Sequence, residues 1–394
     1  MILNKYRKTD KSIFHEDIDD KSLEINKIVS ISKFLVLGGA GTIGQAFTKE
    51  VFKRNPEKIH VVDINENNLA ELVRDIRSSY GYIKGDFHTY TLDIGSNEFK
   101  KFFQNDGEYD YILNFTALKH VRSEKDPYTL MRMIDVNVMN TIKTIDLSEL
   151  TGVKKYFCVS TDKACNPINL MGASKRIMEL FLFKKRKETS TSSARFANVA
   201  FSDGSLLDSF KNRFEKRQPI VAPTNIKRYF ITSKESAELC LLSCLFAKNN
   251  EIFYPKQNDN LKPILFTDLA IDFLKDLGFD HVNYNSEDEA RNNVKKLLSK
   301  KKWPCYFSPS DTSGEKEVER FYNSDDILIL NRFKNIGIIK NNYSDNFKLN
   351  TFLDKIDNIK SKDQWSKFEI VKTFKDLLSH FDHREKQKNL DDKM

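Results

Sequence analysis

Phe34-Leu35-Val36-Leu37-Gly38-Gly39-Ala40-Gly41-Thr42-Ile43-Gly44 runs from four apolar residues through a GxxGxxG spacing into an amphipathic segment that ends near Arg54. A strand, a tight turn and a helix follow from that order. Gly38 permits the turn, Gly41 lets backbone amides approach a pyrophosphate, and Gly44 lets helix and strand pack closely. The helix starts at Thr42 and Ile43 with its N-terminus towards the anion. The next strand-like run ends Val61-Val62-Asp63, about 20 residues beyond Gly44, where a carboxylate meets the hydroxyls of an adenosine ribose. Asp63 favours NAD over NADP. A 2′-phosphate would meet like charge there, and Ile64-Asn65-Glu66-Asn67 offer no arginine to receive it.

Outward from this unit, short β-branched or aromatic runs alternate with amphipathic stretches as far as about Asn198. Strands are expected at Phe34–Leu37, Ile59–Val62, Phe87–Leu92, Tyr111–Phe115, Tyr156–Val159 and Ser193–Phe196, with right-handed crossover helices on both faces of the sheet. The fold class is therefore α/β, a doubly wound parallel sheet of the Rossmann type, with a smaller substrate-binding lobe and a charged C-terminal extension. The expected blocks are a polar N-terminal extension at 1–32, the NAD-binding domain at 33–198, a lobe at 199–280 with returns to the sheet, and an α-rich extension at 281–394.

Composition narrows the class further. The chain has 394 residues and a formal charge of +8, but Lys and Arg are interleaved with Asp and Glu, which argues against nucleic acid as a partner. A modest positive surplus suits an enzyme for anionic nucleotide-linked substrates. The five cysteines lack paired CxxC spacing, so neither disulfides nor a zinc site is expected and a reducing, cytoplasmic compartment is. Leu239 to Ala247, the longest apolar run, is far below the roughly 18 to 20 residues that span a bilayer. Residues 1–32 lack the hydrophobic core of a signal peptide.

Ligands of such sheets bind beyond the carboxyl ends of the strands. Asp93 and Ile94 end the third strand, in position for an adenine edge or as a helix cap. Asn114-Phe115-Thr116-Ala117 follow the fourth, and Ser160-Thr161-Asp162-Lys163 the fifth. Pro167 and Asn169 then introduce a helix on which Met171 and Lys175, at i and i+4, share a face directed back at the crevice. An acid, an amine and a hydroxyl thus stand together beside a cofactor loop.

GGAGTIG, TALKHV (116–121), STDKACNPINLMGASK (160–175), RFANVAFSDGS (195–205) and Arg228-Tyr229-Phe230 resemble the bacterial polysaccharide-biosynthesis nucleotide-sugar dehydratases, extended short-chain dehydrogenases typified by UDP-N-acetylglucosamine 4,6-dehydratases. The resemblance covers about Lys33 to Ala270. It implies a redox-neutral reaction on one bound nucleotide sugar: hydride leaves carbon 4 for NAD, water is lost across carbons 5 and 6, and the hydride returns to carbon 6.

By motif position the resemblance implies that Asp162 is the acid for the leaving hydroxyl and Lys163 the base at carbon 5. Thr161 holds the carbon-4 oxygen, with Ser160 able to share that role, and Lys175 holds the nicotinamide ribose. Met171 stands where most short-chain dehydrogenases carry a tyrosine base, as in the methionine branch of this family, and the acceptor of the first proton is left open among water, Lys163 and Lys175. Lys119, His120, Asn198, Arg228 and Lys256 match positions that meet the sugar or its phosphates. Gly314-Glu315-Lys316 is similar to a late family element, although Asp311-Thr312-Ser313 depart from its usual lead. A homo-oligomer is also implied, through helices near 127–150 and 169–184. Two alternatives remain: a nucleotide-sugar 4-epimerase, which needs a tyrosine base but no such acid-amine pair, and a non-catalytic NAD or nucleotide-sugar binding protein.

Overall fold

The computed structural model describes residues 2–310, 314–342 and 346–383. In chain order its main elements are α1 (His15–Ser30), β1 (Lys33–Leu37), α2 (Thr42–Phe52), β2 (Lys58–Asp63), α3 (Glu66–Tyr80), β3 (Asp86–Thr91), α4 (Asn97–Asp106), β4 (Tyr111–Asn114), α5 (Pro127–Ile134), α6 (Asn140–Leu150), β5 (Lys155–Thr161), α7 (Leu170–Leu182) and β6 (Ser190–Phe196). β1 and β5 are buried along nearly their whole length, because a parallel strand covered by helices on both faces reads as one apolar run. The helices start where short polar side chains close them: Asn65, Ser96, Asp126 and Asn169 each accept a backbone N–H of the first turn.

The sheet runs β6-β5-β4-β1-β2-β3, all parallel, with its order reversing between β4 and β1. That reversal opens a crevice at the carboxyl ends of β1 and β4. The six expected strands lie within three residues of those observed. Beyond β6 the sheet continues with a parallel strand Glu251–Pro255, then antiparallel Ile336–Lys340 and Ile327–Ile329, giving nine strands among the described residues.

The C-terminal region is not a separate α-rich block. Asp280–Tyr284 and Lys302–Ser308 pair with Ile220–Pro223 in a small parallel sheet, so the lobe extends past residue 281, while later strands complete the main sheet. Such pairings cannot be read locally, because an edge is closed by whichever segment can reach it. Residues 2–6 likewise belong to the lobe, since Ile2 and Leu3 join its core with Phe210, Ile220, Leu269 and Trp303. Helices Asn346–Lys360 and Lys367–Leu377 lie against α5 and α7, where Phe352 meets Phe181 and Trp365 meets Tyr128 at ring separations of 6.1 and 5.8 Å.

Candidate active site

At the cofactor end, Gly38 has φ +71°, and a Cβ on it would lie 2.7 Å from Thr116 N. A Cβ on Gly44 would lie 2.3 Å from Gly38 O, so the chain itself demands glycine at both positions. Gly41 differs. A Cβ there would meet only Gly38 O, at 3.7 Å, and no side chain caps the helix that begins at Thr42. The first-turn amides of Thr42 and Ile43 therefore border an open place that suits an anion. Asp63 stands beside it, its Oδ2 accepting from Ala40 N and its Oδ1 from Asn65 N, each at 2.9 Å. A carboxylate so held keeps lone pairs for further donors such as ribose hydroxyls. An unfilled glycine, an uncapped helix start and an adjacent carboxylate together fit a dinucleotide.

The facing loop is fixed from below. Thr116 donates through N and Oγ1 to Asn114 Oδ1, at 3.0 and 2.6 Å, and Ala117 follows it half-buried. Asn137 pins the next residue, with Oδ1 accepting from Leu118 N at 2.9 Å and Nδ2 donating to Leu118 O and Ser174 Oγ. Asn137 lies in a π-helical turn, 135–139, between α5 and α6. Nothing in its local pattern marks it, because its partners lie far along the chain. Asp93 is turned aside: its Oδ1 caps Gly95 N at 2.8 Å and its Oδ2 pairs with Arg132 at 3.1 Å, while Ile94 is buried.

At the reacting end, Thr161 closes β5 and Asp162 and Lys163 turn at once into a short helical turn. Asp162 is only 1% exposed. Its Oδ1 accepts from Thr161 Oγ1 at 2.9 Å and from Lys163 Nζ at 3.1 Å, whereas Oδ2 is buried with no hydrogen-bond partner among the described residues. Lys163 Nζ also donates to Asn198 Oδ1 at 3.3 Å. An orphaned buried carboxylate oxygen is an arrangement a substrate hydroxyl can complete.

The helix α7 is drawn onto this turn because a Cβ on Gly172 would lie 2.4 Å from Lys163 O. Met171 is buried in its first turn, with its N–H held by Glu124 Oε1 at 2.8 Å. Lys175, one turn later, is buried and donates to Val159 O at 3.1 Å, and burial lowers its pKa from the ordinary lysine value. Beneath it Glu179 accepts from Arg195 Nε and Nη2 at 2.9 and 2.8 Å and from Ser160 Oγ at 2.6 Å. Despite burial, which alone would raise it, Arg195 holds the Glu179 carboxyl well below the usual carboxylate range.

Several expected members lie elsewhere. Ser160 cannot share the role of Thr161, because neighbours on a strand point to opposite faces and its hydroxyl serves Glu179. Arg228 is 3% exposed, and its guanidinium donates to Lys227 O, Lys316 O, Glu317 O and Glu315 Oε1 rather than standing free for a diphosphate. Lys256 Nζ donates to Leu330 O, Phe333 O and Lys334 O, which occupies all three ammonium hydrogens. Lys119 and His120 are exposed at the rim, where His120 faces Gly204. The backbone beside Gly204 closes on the cofactor turn, with Asp203 N donating to Thr42 Oγ1 at 3.1 Å. Gly314 packs on Asn169, whose Nδ2 donates to Gly314 O at 2.8 Å, so the late Gly-Glu-Lys element braces α7; Asp311, Thr312 and Ser313 lie outside the described residues.

The family model described as "Polysaccharide biosynthesis protein" matches residues 34–293. An uncharacterized membrane protein of Methanocaldococcus jannaschii is 29% identical over 342 residues, 80% of this chain and 98% of that protein. The capsular polysaccharide biosynthesis protein CapD of Staphylococcus aureus is 30% identical over 264 residues; the match takes in 64% of this chain, which spans only 42% of that relative's length. A Campylobacter jejuni UDP-N-acetylglucosamine 4,6-dehydratase (inverting) is 30% identical over 231 residues, 56% of this chain and 66% of the relative. Among solved structures, Pen from Bacillus thuringiensis superposes with a TM-score of 0.64 at 22% identity, covering 80% of this chain and 90% of that one. No helix among the described residues is long and apolar enough to cross a membrane.

Proposed function

We propose, from the premise that this chain belongs to the polysaccharide biosynthesis protein family, that it is an NAD-dependent 4,6-dehydratase of a nucleotide-activated N-acetylhexosamine, converting UDP-N-acetylglucosamine to its 4-keto-6-deoxy derivative. The observation that carries this reading is the Asp162–Lys163 pair with its orphaned Oδ2. Loss of water needs an acid at one carbon and a base at the next, and oxidation alone needs no such pair.

Gly38, Gly41, Thr42, Ile43, Gly44, Asp63, Thr116, Ala117 and Lys175 would hold the cofactor. When bound, NAD supplies a hydride acceptor for carbon 4 and a hydride donor for carbon 6. The chain's own work is with protons. Thr161 Oγ1 meets the carbon-4 hydroxyl, takes its proton as the ketone forms, and passes its own to Asp162 Oδ1, 2.9 Å away. That transfer arms the carboxyl.

Lys163 removes the carbon-5 proton that the ketone has acidified, while Asp162 protonates the departing carbon-6 hydroxyl to give water. Lys163 returns its proton to carbon 5 as carbon 6 is reduced, and Asp162 and Lys163 end as they began. Met171 contributes an apolar wall beside this chemistry and no proton. Asn198 steadies Lys163, and the exposed Lys119 and His120 would meet the sugar nucleotide.

Incubating the pure protein with UDP-N-acetylglucosamine and NAD in D2O tests the reading. The expected product has lost one water and gained deuterium at carbon 5. A stereoisomer of unchanged composition would identify a 4-epimerase instead, and an untouched substrate that still binds would identify a binding protein.

A further inference from the structure

We propose that His60, Asp86 and His88 form a binding site for one divalent transition-metal ion, zinc by its donor set, at the β2–β3 edge of the sheet. In the parallel register of these strands His60 lies opposite His88 and Lys58 opposite Asp86. Three donor atoms converge there, one from each residue, all within 4.8 Å of one another.

His60 anchors the site and is 1% exposed. Its Nδ1 is 2.8 Å from Asp106 Oδ2 and 2.9 Å from Tyr109 Oη, and its Nε2 is 2.8 Å from Asp86 Oδ2. A neutral imidazole carries one N–H, so one of the two carboxylates would face a bare lone pair. The site therefore calls for one more positive charge, a proton or a metal ion.

The two sides of the ring differ in what they could admit. On the Nδ1 side Asp106 and Tyr109 are hydrogen-bonded to each other, and Lys58 Nζ stands 3.8 Å from Asp106 Oδ1. That side already has its cation. The Nε2 side opens onto Asp86 and His88, which are 42% and 63% exposed, with His88 Nδ1 only 2.5 Å from Asp86 Oδ1. A metal ion on Nε2 would find a carboxylate and a second imidazole at hand and solvent for a fourth ligand.

Two imidazoles and one carboxylate make a borderline donor set that zinc takes in tetrahedral sites, with bonds of about 2.0–2.2 Å. Ligand atoms then stand roughly 3.3 Å apart, so the present contacts would open by under about 1 Å. His88 is exposed enough to yield that. Asp106 on Nδ1 is the outer partner that fixes the ring and raises its basicity, as carboxylates behind metal-bound histidines do. His60 precedes Asp63 by three residues, about 10 Å along the strand, so the ion would not reach the reacting atoms. It would instead tie β3, the open edge of the sheet, to β2 and to the end of α4.

The test uses the full chain, equilibrated with zinc sulfate and dialysed, followed by metal analysis and thermal unfolding. About one retained zinc per chain and a raised Tm are expected, with Co2+ giving a tetrahedral absorption spectrum. His88→Ala should lose the uptake, the Tm rise and the cobalt bands while turning over sugar nucleotide as before, and Asp106→Asn should weaken binding about tenfold or more. Zinc uptake equal in the native and His88→Ala proteins would overturn the site. So would a stability that answers to pH and not to metal, since the extra charge would then be a proton.

Discussion

Lys163 Nζ lies 3.1 Å from Asp162 Oδ1, while the other oxygen of that carboxylate is buried and has no partner. One oxygen of the side chain thus serves the amine and the other is left unclaimed. If the two act as proposed, their removal has different signatures. Asp162→Asn should lower water loss and deuterium exchange at carbon 5 together by about 10²–10⁴-fold and leave NAD unreduced, because the first oxidation then lacks its proton acceptor. Lys163→Ala should lower both as well, yet still allow NAD reduction, because oxidation at carbon 4 does not need that amine. Mass spectrometry of the sugar nucleotide in D2O reads the two outcomes together, and exchange surviving in Lys163→Ala would remove that residue as the base.

Two glycines of the cofactor turn should fail differently on gaining a methyl group. Gly44→Ala places a Cβ 2.3 Å from Gly38 O and should cost about 1–3 kcal/mol of stability, seen as a lowered urea midpoint. Gly41→Ala meets only an ordinary contact at 3.7 Å, so the fold should hold. Its loss should appear in NAD affinity, measured by calorimetry, because the methyl group intrudes where the pyrophosphate is proposed to lie.

Glu238 makes stability depend on pH near neutrality. It is buried on helix Ser233–Phe246, and burial pushes its carboxyl up to about 7, against the opposing pull of Ser12 Oγ and Lys234. A folded-state pKa above the unfolded value means that the native chain holds more protons between the two, so stability is full below about 4.5 and falls as pH rises to about 7. Glu238→Gln should flatten that slope and be the more stable protein at pH about 8, by about 1–3 kcal/mol. Urea unfolding of both proteins across this range checks the sign.

The helices expected to pair between subunits are partly covered within one chain. Lys360 pairs with Asp135, Trp365 stacks near Tyr128, and Phe352 and Phe374 are buried in the core shared with α5 and α7. Association through 127–150 and 169–184 would have to use the surface that 346–377 leave open, which includes the exposed Leu150. Light scattering of the full chain should give a dimer mass if that surface pairs, and a monomer mass would remove the expectation.

The main sheet was legible because its cause is local: a parallel strand buried on both faces must be apolar throughout, and a glycine turn must have its spacing. The adjacency of Asp162 and Lys163 was legible for the same reason. Arg228 and Lys256 were not, since the carbonyls that engage them lie 74 to 89 residues further on. Ser160 is the intermediate case: strand alternation separates it from Thr161, but only the fold shows that Glu179 waits on the other side.

By itself, then, the sequence determined the elements and the chemistry available to them: a strand-turn-helix for a dinucleotide, and an acid beside an amine at the end of β5. Tertiary structure decided which polar groups remain free for that chemistry. A buried donor or acceptor satisfies itself with any partner that folding brings near, so Arg228, Lys256 and Ser160 are taken by distant groups. The buried carboxylate of Asp162 keeps one oxygen unclaimed among the described residues.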